Sequence, residues 1–133
     1  MDSAPIILVE DNEDDIELTM RALVKSRVVN PIEVLRDGAA ALARLLDASA
    51  GPVPALVLLD LNLPLVNGLE MLQQLRADER CRLLPIVILT SSNEERDLVE
   101  SYRFGANSYV RKPVDFQEFQ AAVEQLGLYW LVL

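Results

Sequence analysis

The sequence of 133 residues contains no histidine and a single cysteine, and both shortages exclude chemistry. Without histidine the chain lacks the commonest general base of enzymes and the commonest ligand of transition metals. The single cysteine, Cys81, cannot form an internal disulfide, and no histidine or second cysteine is present to activate it. We interpret Cys81 as a passive thiol and expect any bound metal to be a hard cation held by oxygen.

Long apolar runs and an excess of positive charge are missing as well. No stretch approaches the roughly 20 apolar residues that a membrane helix needs, and the N-terminal MDSAP lacks a basic, apolar leader. The net charge of −9 disfavours direct binding to nucleic acid. No Gly-rich phosphate loop, CxxC or HExxH motif occurs. These absences predict a cytoplasmic protein that binds neither membranes nor nucleic acid.

What the chain does contain is five short apolar or mixed runs that alternate with five helical patterns. The runs are IILV (Ile6–Val9), IEVL (Ile32–Leu35), LVLL (Leu56–Leu59), IVIL (Ile86–Leu89) and SYVR (Ser108–Arg111). Alternation of strands and helices is typical of a parallel sheet with helices on both faces. We therefore predict a single α/β domain over residues 1–133, ending in an apolar tail at 127–133.

The helical patterns also predict which face of each helix is buried, because apolar residues recur at helical spacing. The predicted faces are Ile16, Met20, Leu23 and Val24 in the first helix; Ala39, Leu42, Ala43 and Leu46 in the second; Leu69, Leu72 and Leu75 in the third; Leu98, Val99 and Tyr102 in the fourth; and Phe116, Phe119, Val123 and Leu126 in the fifth.

Differences between the runs predict the order of the strands. The first, third and fourth runs are continuously apolar, as strands covered on both faces are. The second run carries Glu33 and the fifth is mixed, which is typical of edge strands. The pattern indicates a doubly wound, flavodoxin-like (βα)5 sheet in the order 2-1-3-4-5. Ligands of this fold bind beside the C-terminal ends of the first and third strands.

Polar residues follow four of the predicted strands directly. These residues are Glu10 and Asp11, Asp60, Thr90 and Ser91, and Lys112 before Pro113. Each has an ordinary explanation: acidic residues cap helices, Ser91 and Glu94 fit a capping box, and Asp60 or Lys112 could be solvated loop residues. Delivery of all of them to one edge of one sheet favours a shared site instead.

The acidic cluster from Glu10 to Glu17 limits what that site can be. Carboxylates crowded within a few ångströms repel each other unless a cation joins them, and Lys112 supplies only one positive charge. A hard divalent cation such as Mg²⁺ suits carboxylate ligands and leaves positions for phosphate oxygens. Asp60 would then be a credible nucleophile toward phosphorus. We assign Asp14, Asp15 and Glu17 to the first turn of a helix, where the helix dipole favours negative charge.

Four motifs carry a family resemblance that spans essentially the whole chain. ILVEDNEDD, LVLLDLNLPLVNG, IVILTSS and GANSYVRKPVDF each stand at a strand-to-helix junction. Together they resemble the response-regulator receiver domains of two-component signalling. The resemblance implies that a sensor histidine kinase donates its phosphoryl group to Asp60, in a reaction that needs Mg²⁺ or Mn²⁺, and that the chain is otherwise not an enzyme.

The resemblance also implies roles for individual residues. Asp60 is similar to the phosphoryl acceptor, and Glu10, Asp11, Asp60 and the backbone carbonyl of Asn62 are similar to the metal ligands. The phosphate-binding and switch positions are Thr90, Ser91, Lys112 and Tyr109, and the Lys112–Pro113 bond is expected to be cis. Asn62 and Ser92 are candidates for tuning hydrolysis of the acyl phosphate.

Shorter stretches resemble the small receivers that accompany phytochrome-type histidine kinases. Since no output domain follows the fifth helix, a separate protein is expected to receive the signal. The tail, with Tyr129, Trp130 and Leu131, either closes the domain's own core or forms part of a homodimer surface. Three other functions stay open: a phosphorelay intermediate, a scaffold that binds without phosphorylation, and an aspartyl-nucleophile phosphatase. Against the last, Asn62 stands where such enzymes need a second acid.

Overall fold

A computed structural model describes residues 4–91 and 94–125 of the chain. Its strands are β1 (Ile6–Val9), β2 (Ile32–Leu35), β3 (Leu56–Leu59), β4 (Ile86–Thr90) and β5 (Ser108–Arg111), and its helices are α1 (Glu13–Lys25), α2 (Gly38–Leu46), α3 (Gly68–Ala77), α4 (Glu95–Arg103) and α5 (Phe116–Gln125). A short 3₁₀ helix, Ala48–Ala50, follows α2. Four predicted strands are confirmed at both ends, and β4 extends one residue further to include Thr90.

The five strands form one parallel sheet in the order β2-β1-β3-β4-β5, which confirms the predicted flavodoxin-like fold. The register aligns the ends of the central strands. Val9 of β1 pairs with Leu59 of β3, so Glu10 and Asp60 leave the sheet side by side. On the other flank, Thr90 of β4 pairs with Arg111 of β5, which directly precedes Lys112.

Successive side chains on the central strands enter two separate cores, because neighbouring residues of a strand point to opposite faces. One core contains Val9, Leu59 and Ile88 together with residues of α2 and α3. The other contains Leu8, Leu58 and Leu89 together with residues of α1 and α5. Every residue of β1, β3 and β4 is buried, whereas β2 is half-buried throughout and β5 is mixed. The predicted division into central and edge strands is therefore confirmed.

Polar side chains fix where three of the helices begin. Asn12, Asp37 and Asn67 stand at the N-caps of α1, α2 and α3, and each accepts a hydrogen bond from a backbone N–H of the first turn. Helix α4 begins differently, because Glu94 occupies its N-cap without a side-chain capping bond. The proposed capping box of Ser91 with Glu94 is therefore wrong.

The predicted buried faces are only partly correct. In α1, Val24 is 71% exposed, and in α4 both Val99 and Tyr102 are exposed. In α2, Ala39 and Ala43 are exposed, while the buried apolar residues are Ala41, Leu42 and Leu45. Apart from Arg44, every residue of α2 is apolar or glycine, so spacing alone left its orientation undecided. Packing against α3 selects the buried face.

No described helix is both long and apolar enough to cross a membrane. Several expectations fall on residues outside the described ranges. They concern Ser92, Leu126 and the tail at 127–133, with its candidate dimer residues Tyr129, Trp130 and Leu131. These expectations stay predictions.

Candidate functional site

The carboxyl ends of β1, β3 and β5, together with the first turn of α1, bring a lysine into contact with three carboxylates. The ammonium group Nζ of Lys112 contacts Oε1 of Glu10, and it lies 3.0 Å from Oδ2 of Asp15 and 3.2 Å from Oδ2 of Asp60. We call Glu10, Asp11, Asp15, Asp60 and Lys112 the acidic cleft. The strand order had predicted that Glu10, Asp60 and Lys112 would meet here, because carboxyl ends of parallel strands share one edge of the sheet.

Three of the five residues of the acidic cleft are screened from water. Glu10 is 1% exposed, Asp60 is 5% exposed, and the Lys112 side chain is 7% exposed. Burial raises the pKa of Glu10 to about 7, and the charge of Asp60 adds to this rise, while the hydrogen bond from Lys112 opposes it. Negative charge is therefore costly for Glu10.

Lys112 responds in the opposite direction. Burial on its own would lower the pKa of this ammonium group. Hydrogen bonds to Glu10 and Asp15, together with the negative charge of Asp60, outweigh burial and leave the pKa above its usual value. Lys112 therefore carries its positive charge at neutral pH, surrounded by more negative charge than it can neutralise.

Local backbone geometry holds the two buried carboxylates in place. Oε2 of Glu10 accepts a hydrogen bond from the N–H of Asn12, and Oδ1 of Asp60 accepts one from the N–H of Asn62, both at 3.3 Å. The loop after β3 returns close to its origin, since the N–H of Gly68 donates to the carbonyl of Leu61. A Cβ at Gly68 would lie 2.6 Å from the Asp60 carbonyl oxygen, so only glycine allows this approach.

Three carboxylates of the cleft could hold a metal ion together. Glu10, Asp11 and Asp60 each offer one oxygen, and these oxygens all lie within 4.8 Å of one another. Glu10 and Asp60 are buried and Asp11 is exposed, so a bound cation would keep contact with water. An all-oxygen donor set of this charge fits a hard divalent cation such as Mg²⁺ or Mn²⁺.

Other predicted site residues lie around the cleft. Thr90 ends β4 fully buried, and its carbonyl accepts a hydrogen bond of 2.9 Å from the N–H of Lys112. The Lys112–Pro113 peptide bond is cis. Tyr109 is half-buried on β5 and packs against the core on the α3 side of the sheet. Ser91 is exposed after β4.

The sequence interpretation missed one member of the cleft. It gave Asp15 only a helix-dipole role, whereas the structure places its carboxylate on Lys112. The N–H of Asp15 donates to Oδ1 of Asn12, the helix cap, at 2.9 Å. The available signal was the spacing, since Asp15 stands in the first turn of a helix that starts at the same sheet edge as Asp11.

Comparison with known proteins identifies this arrangement. The family model described as the response regulator receiver domain matches residues 6–124. The chain belongs to this family. As a receiver domain it is a signalling protein of two-component systems, a family whose members bind a divalent metal.

Three relatives illustrate the range of the similarity. The structure described as the bacteriophytochrome response regulator AtBRR is 48% identical, superimposes with a TM-score of 0.87, and is matched over 100% of this chain and 99% of that one. A Mn²⁺-bound structure of response regulator Rcp1, a protein of Synechocystis, is 34% identical with a TM-score of 0.76, over 96% of this chain and 94% of that one. The probable methanogenesis regulatory protein FilR2 of Methanothrix harundinacea is 44% identical over 95% of this chain and 83% of its own length.

Proposed function

We propose that this receiver domain accepts a phosphoryl group on Asp60 and signals through the change in charge that follows. The observation that carries the proposal is the buried contact of Asp60 with Lys112, 3.2 Å apart, where Asp60 also belongs to a cluster of three carboxylates suited to a metal. Few structural roles need a lysine and two buried carboxylates to share one sheet edge.

The proposed chemistry needs no general base. A carboxylate oxygen of Asp60 forms a new O–P bond while the P–N bond of the donor's phosphohistidine breaks, and the electron pair of that bond stays on the imidazole nitrogen. Since a carboxylate has no proton to give up, the absence of histidine from this chain is no obstacle. The donor histidine belongs to another protein.

The residues of the cleft have distinct tasks in this scheme. Glu10, Asp11 and Asp60, with the carbonyl of Asn62, would hold Mg²⁺ or Mn²⁺, which neutralises phosphoryl oxygens during transfer. Lys112 supplies a fixed positive charge to the same oxygens. Thr90 and Ser91 are proposed to hydrogen-bond the bound phosphoryl group, and Asn62 and Ser92 to tune its hydrolysis.

Signalling is proposed to follow from electrostatics. The phosphoryl group carries about 1.5 to 2 negative charges, while the Asp60 carboxylate loses its own single charge, so about 0.5 to 1 net negative charge is added beside Lys112 and Thr90. Re-pairing of these groups biases two conformations of the surface made by α4, β5 and α5, with Tyr109 moving inward in the active one. A separate protein would read that surface.

The upstream partner is proposed to be a phytochrome-type sensor histidine kinase in the cytoplasm. The similarity to AtBRR supports this assignment. FilR2, a similar protein with a different described role, shows that related chains serve other pathways. Phosphotransfer from a phytochrome-type kinase, compared with an unrelated histidine kinase at equal concentration, tests the assignment: equal rates with both kinases would contradict it.

Phosphorylation of Asp60 is tested by intact-mass measurement after incubation with acetyl phosphate and Mg²⁺. The O–P bond of acetyl phosphate breaks, and acetate leaves with the electron pair, so the wild type should gain one phosphoryl mass. Asp60→Asn should gain none, because an amide is not a nucleophile toward phosphorus. Asp14→Asn, an exposed change of the same kind on α1, is the matched control and should label like the wild type.

The labelling result and two further assays separate the alternative functions. If the folded wild-type chain gains no mass, the result would favour a scaffold that binds its partner without phosphorylation. Steady turnover of an unrelated phosphate ester such as p-nitrophenyl phosphate would favour the phosphatase. Transfer from labelled Asp60 onward to a histidine-containing protein would identify a phosphorelay intermediate.

A further inference from the structure

The ammonium group of Lys112 is held by carboxylates from three different elements. Glu10 follows β1, Asp15 lies in the first turn of α1, and Asp60 follows β3. A lysine ammonium group has three N–H donors and no acceptor, so these carboxylates can occupy all of them. The three carboxylates together therefore determine the direction of each N–H of Lys112.

The three acceptors are not equivalent once Asp60 is modified. Its carboxylate becomes a neutral acyl group, and the negative charge moves to the phosphoryl oxygens. The N–H that faces Asp60 is then the one available to the phosphoryl group. Glu10 belongs to the cluster suited to a metal, whereas Asp15 lies outside that cluster. Asp15 is thus the acceptor that is neither neutralised by phosphorylation nor part of the cluster suited to a metal.

Asp15 is also well placed to hold Lys112 steadily. Its backbone N–H donates a hydrogen bond of 2.9 Å to Oδ1 of the N-cap residue Asn12, which orders the first turn of α1. Its Oδ2 accepts a hydrogen bond of 3.0 Å from Lys112 Nζ. The Asp15 side chain is 31% exposed, compared with 1% for Glu10, so its charge costs less to keep.

We propose that Asp15 is a positioning residue for phosphoryl transfer: it holds the Lys112 ammonium group so that one N–H is directed at the phosphoryl oxygens on Asp60. Without Asp15, the carboxylate partners left to Lys112 within residues 4–91 and 94–125 are Glu10 and Asp60, and Lys112 is drawn toward the buried Glu10. This inference rests on the proposed function, since it assigns a role within the same site.

The first test measures the initial rate of labelling by acetyl phosphate and Mg²⁺. Asp15→Ala should slow labelling about tenfold, the effect of losing one charge-assisted hydrogen bond that orients the transition state. Asp15→Glu keeps the carboxylate and should restore part of the rate. Asp14→Ala removes the same charge from the same helical turn, but Asp14 is exposed and does not contact Lys112, so it should label like the wild type.

A double-mutant cycle separates positioning from a general effect of charge. If Asp15 acts through Lys112, Asp15→Ala should change the labelling rate little in a chain that already carries Lys112→Ala. The same cycle is repeated with the free energy of unfolding, measured by thermal unfolding without metal. This measurement detects the contact between Asp15 and Lys112 even if Lys112→Ala is labelled too slowly for its rate to be determined. Asp15 and Lys112 should be coupled there, whereas Asp14 and Lys112 should not.

Each outcome decides the proposal. Slower labelling of Asp15→Ala than of Asp14→Ala, together with coupling to Lys112, supports it. Equal rates for the two alanine variants, or an Asp15→Ala effect that persists unchanged without Lys112, would overturn it. Failure of the wild type itself to label would instead overturn the function proposed for Asp60, and the two failures are therefore distinguishable.

Discussion

At the scale of single residues, the acidic cleft disfavours charge on Glu10 and favours it on Lys112. Burial makes charge costly for Glu10, yet the carboxylates around Lys112 outweigh burial and keep that lysine charged. Cys81 is also buried, but it lies in the apolar core beside α2 and α3. Its thiol is 2% exposed and donates a weak hydrogen bond of 3.4 Å to the carbonyl of Leu45. The surroundings therefore favour the neutral thiol.

Cys81 should consequently resist alkylation in the folded protein. Burial, followed by the charge of Asp78, raises the pKa of Cys81 above its ordinary 9.0, while the nearby Arg80 and Arg76 oppose the rise only in part. We expect iodoacetamide at pH 8 to label the native chain at least about tenfold more slowly than the urea-unfolded chain, because the thiolate is the reactive form and native access is blocked. Comparable rates would contradict this assignment.

The same shift predicts the sign of a pH effect on stability. Because the folded pKa lies above the unfolded one, the folded state retains the proton longer. Its contribution to stability is complete below pH 9 and is lost as pH rises through the folded pKa. Cys81→Ala should remove that alkaline loss, which urea unfolding measured from pH 7 to pH 10 would reveal.

At the scale of elements, one arginine joins the end of α3 to the connection before β4 and to the connection before β5. The Arg76 guanidinium donates to the carbonyls of Gly105 and Cys81 at 2.9 Å, to that of Arg82 at 3.2 Å, and to Oδ1 of Asn107 at 2.9 Å. Gly105, at φ 107°, permits the approach, since a Cβ there would lie 2.8 Å from Cγ of Arg76. Asn107 in turn accepts from the N–H of Ile86, the first residue of β4.

Arg76→Lys should therefore destabilise the fold although it keeps the charge. An ammonium group cannot reproduce the planar fork of donors, so several carbonyls would lose their partner. We expect the free energy of unfolding in urea to fall by about 1 to 3 kcal/mol. Arg82→Lys is the matched control, because the Arg82 side chain is exposed, and it should change the stability little. Similar losses for both variants would show that the fork is unimportant.

At the scale of the whole molecule, the acidic cleft concentrates repulsion within a chain of net charge −9. Glu10 and Asp60 follow Val9 and Leu59, which pair across β1 and β3, so the sheet register holds the two carboxylates side by side. A fold that accumulates like charge in this way is less stable by itself than with a cation bound. Metal binding should therefore be visible as a stability effect, without any phosphorylation.

Mg²⁺ should raise the melting temperature of the unphosphorylated chain. At tenfold its Kd, a ligand that binds only the folded state adds about 1.4 kcal/mol, or a shift of about 3 to 6 °C for a domain of this size. Thermal unfolding with Mg²⁺ against an equal ionic strength of Na⁺ measures it. Asp60→Asn should reduce the shift and Asp14→Asn should not. An undiminished shift in Asp60→Asn would place the ion elsewhere.

Much of this architecture is already determined by the sequence. The apolar runs specify the strands because fully covered strands exclude polar side chains, and the charge in β2 and the mixture in β5 specify the edges. The positions of Glu10, Asp60 and Lys112 after those strands then fix the edge at which they meet. Each of these inferences depends on local order along the chain, which a sequence records directly.

Tertiary structure alone decided the rest. Apart from Arg44, helix α2 has apolar residues or glycine on every side, so the choice of Ala41, Leu42 and Leu45 as its buried apolar residues came from packing against α3. The contact between Asp15 and Lys112 joins residues 97 positions apart, and no periodicity encodes a contact across that distance. Side-chain partners depend on how elements dock, because docking sets the few ångströms that separate a solvated charge from an ion pair.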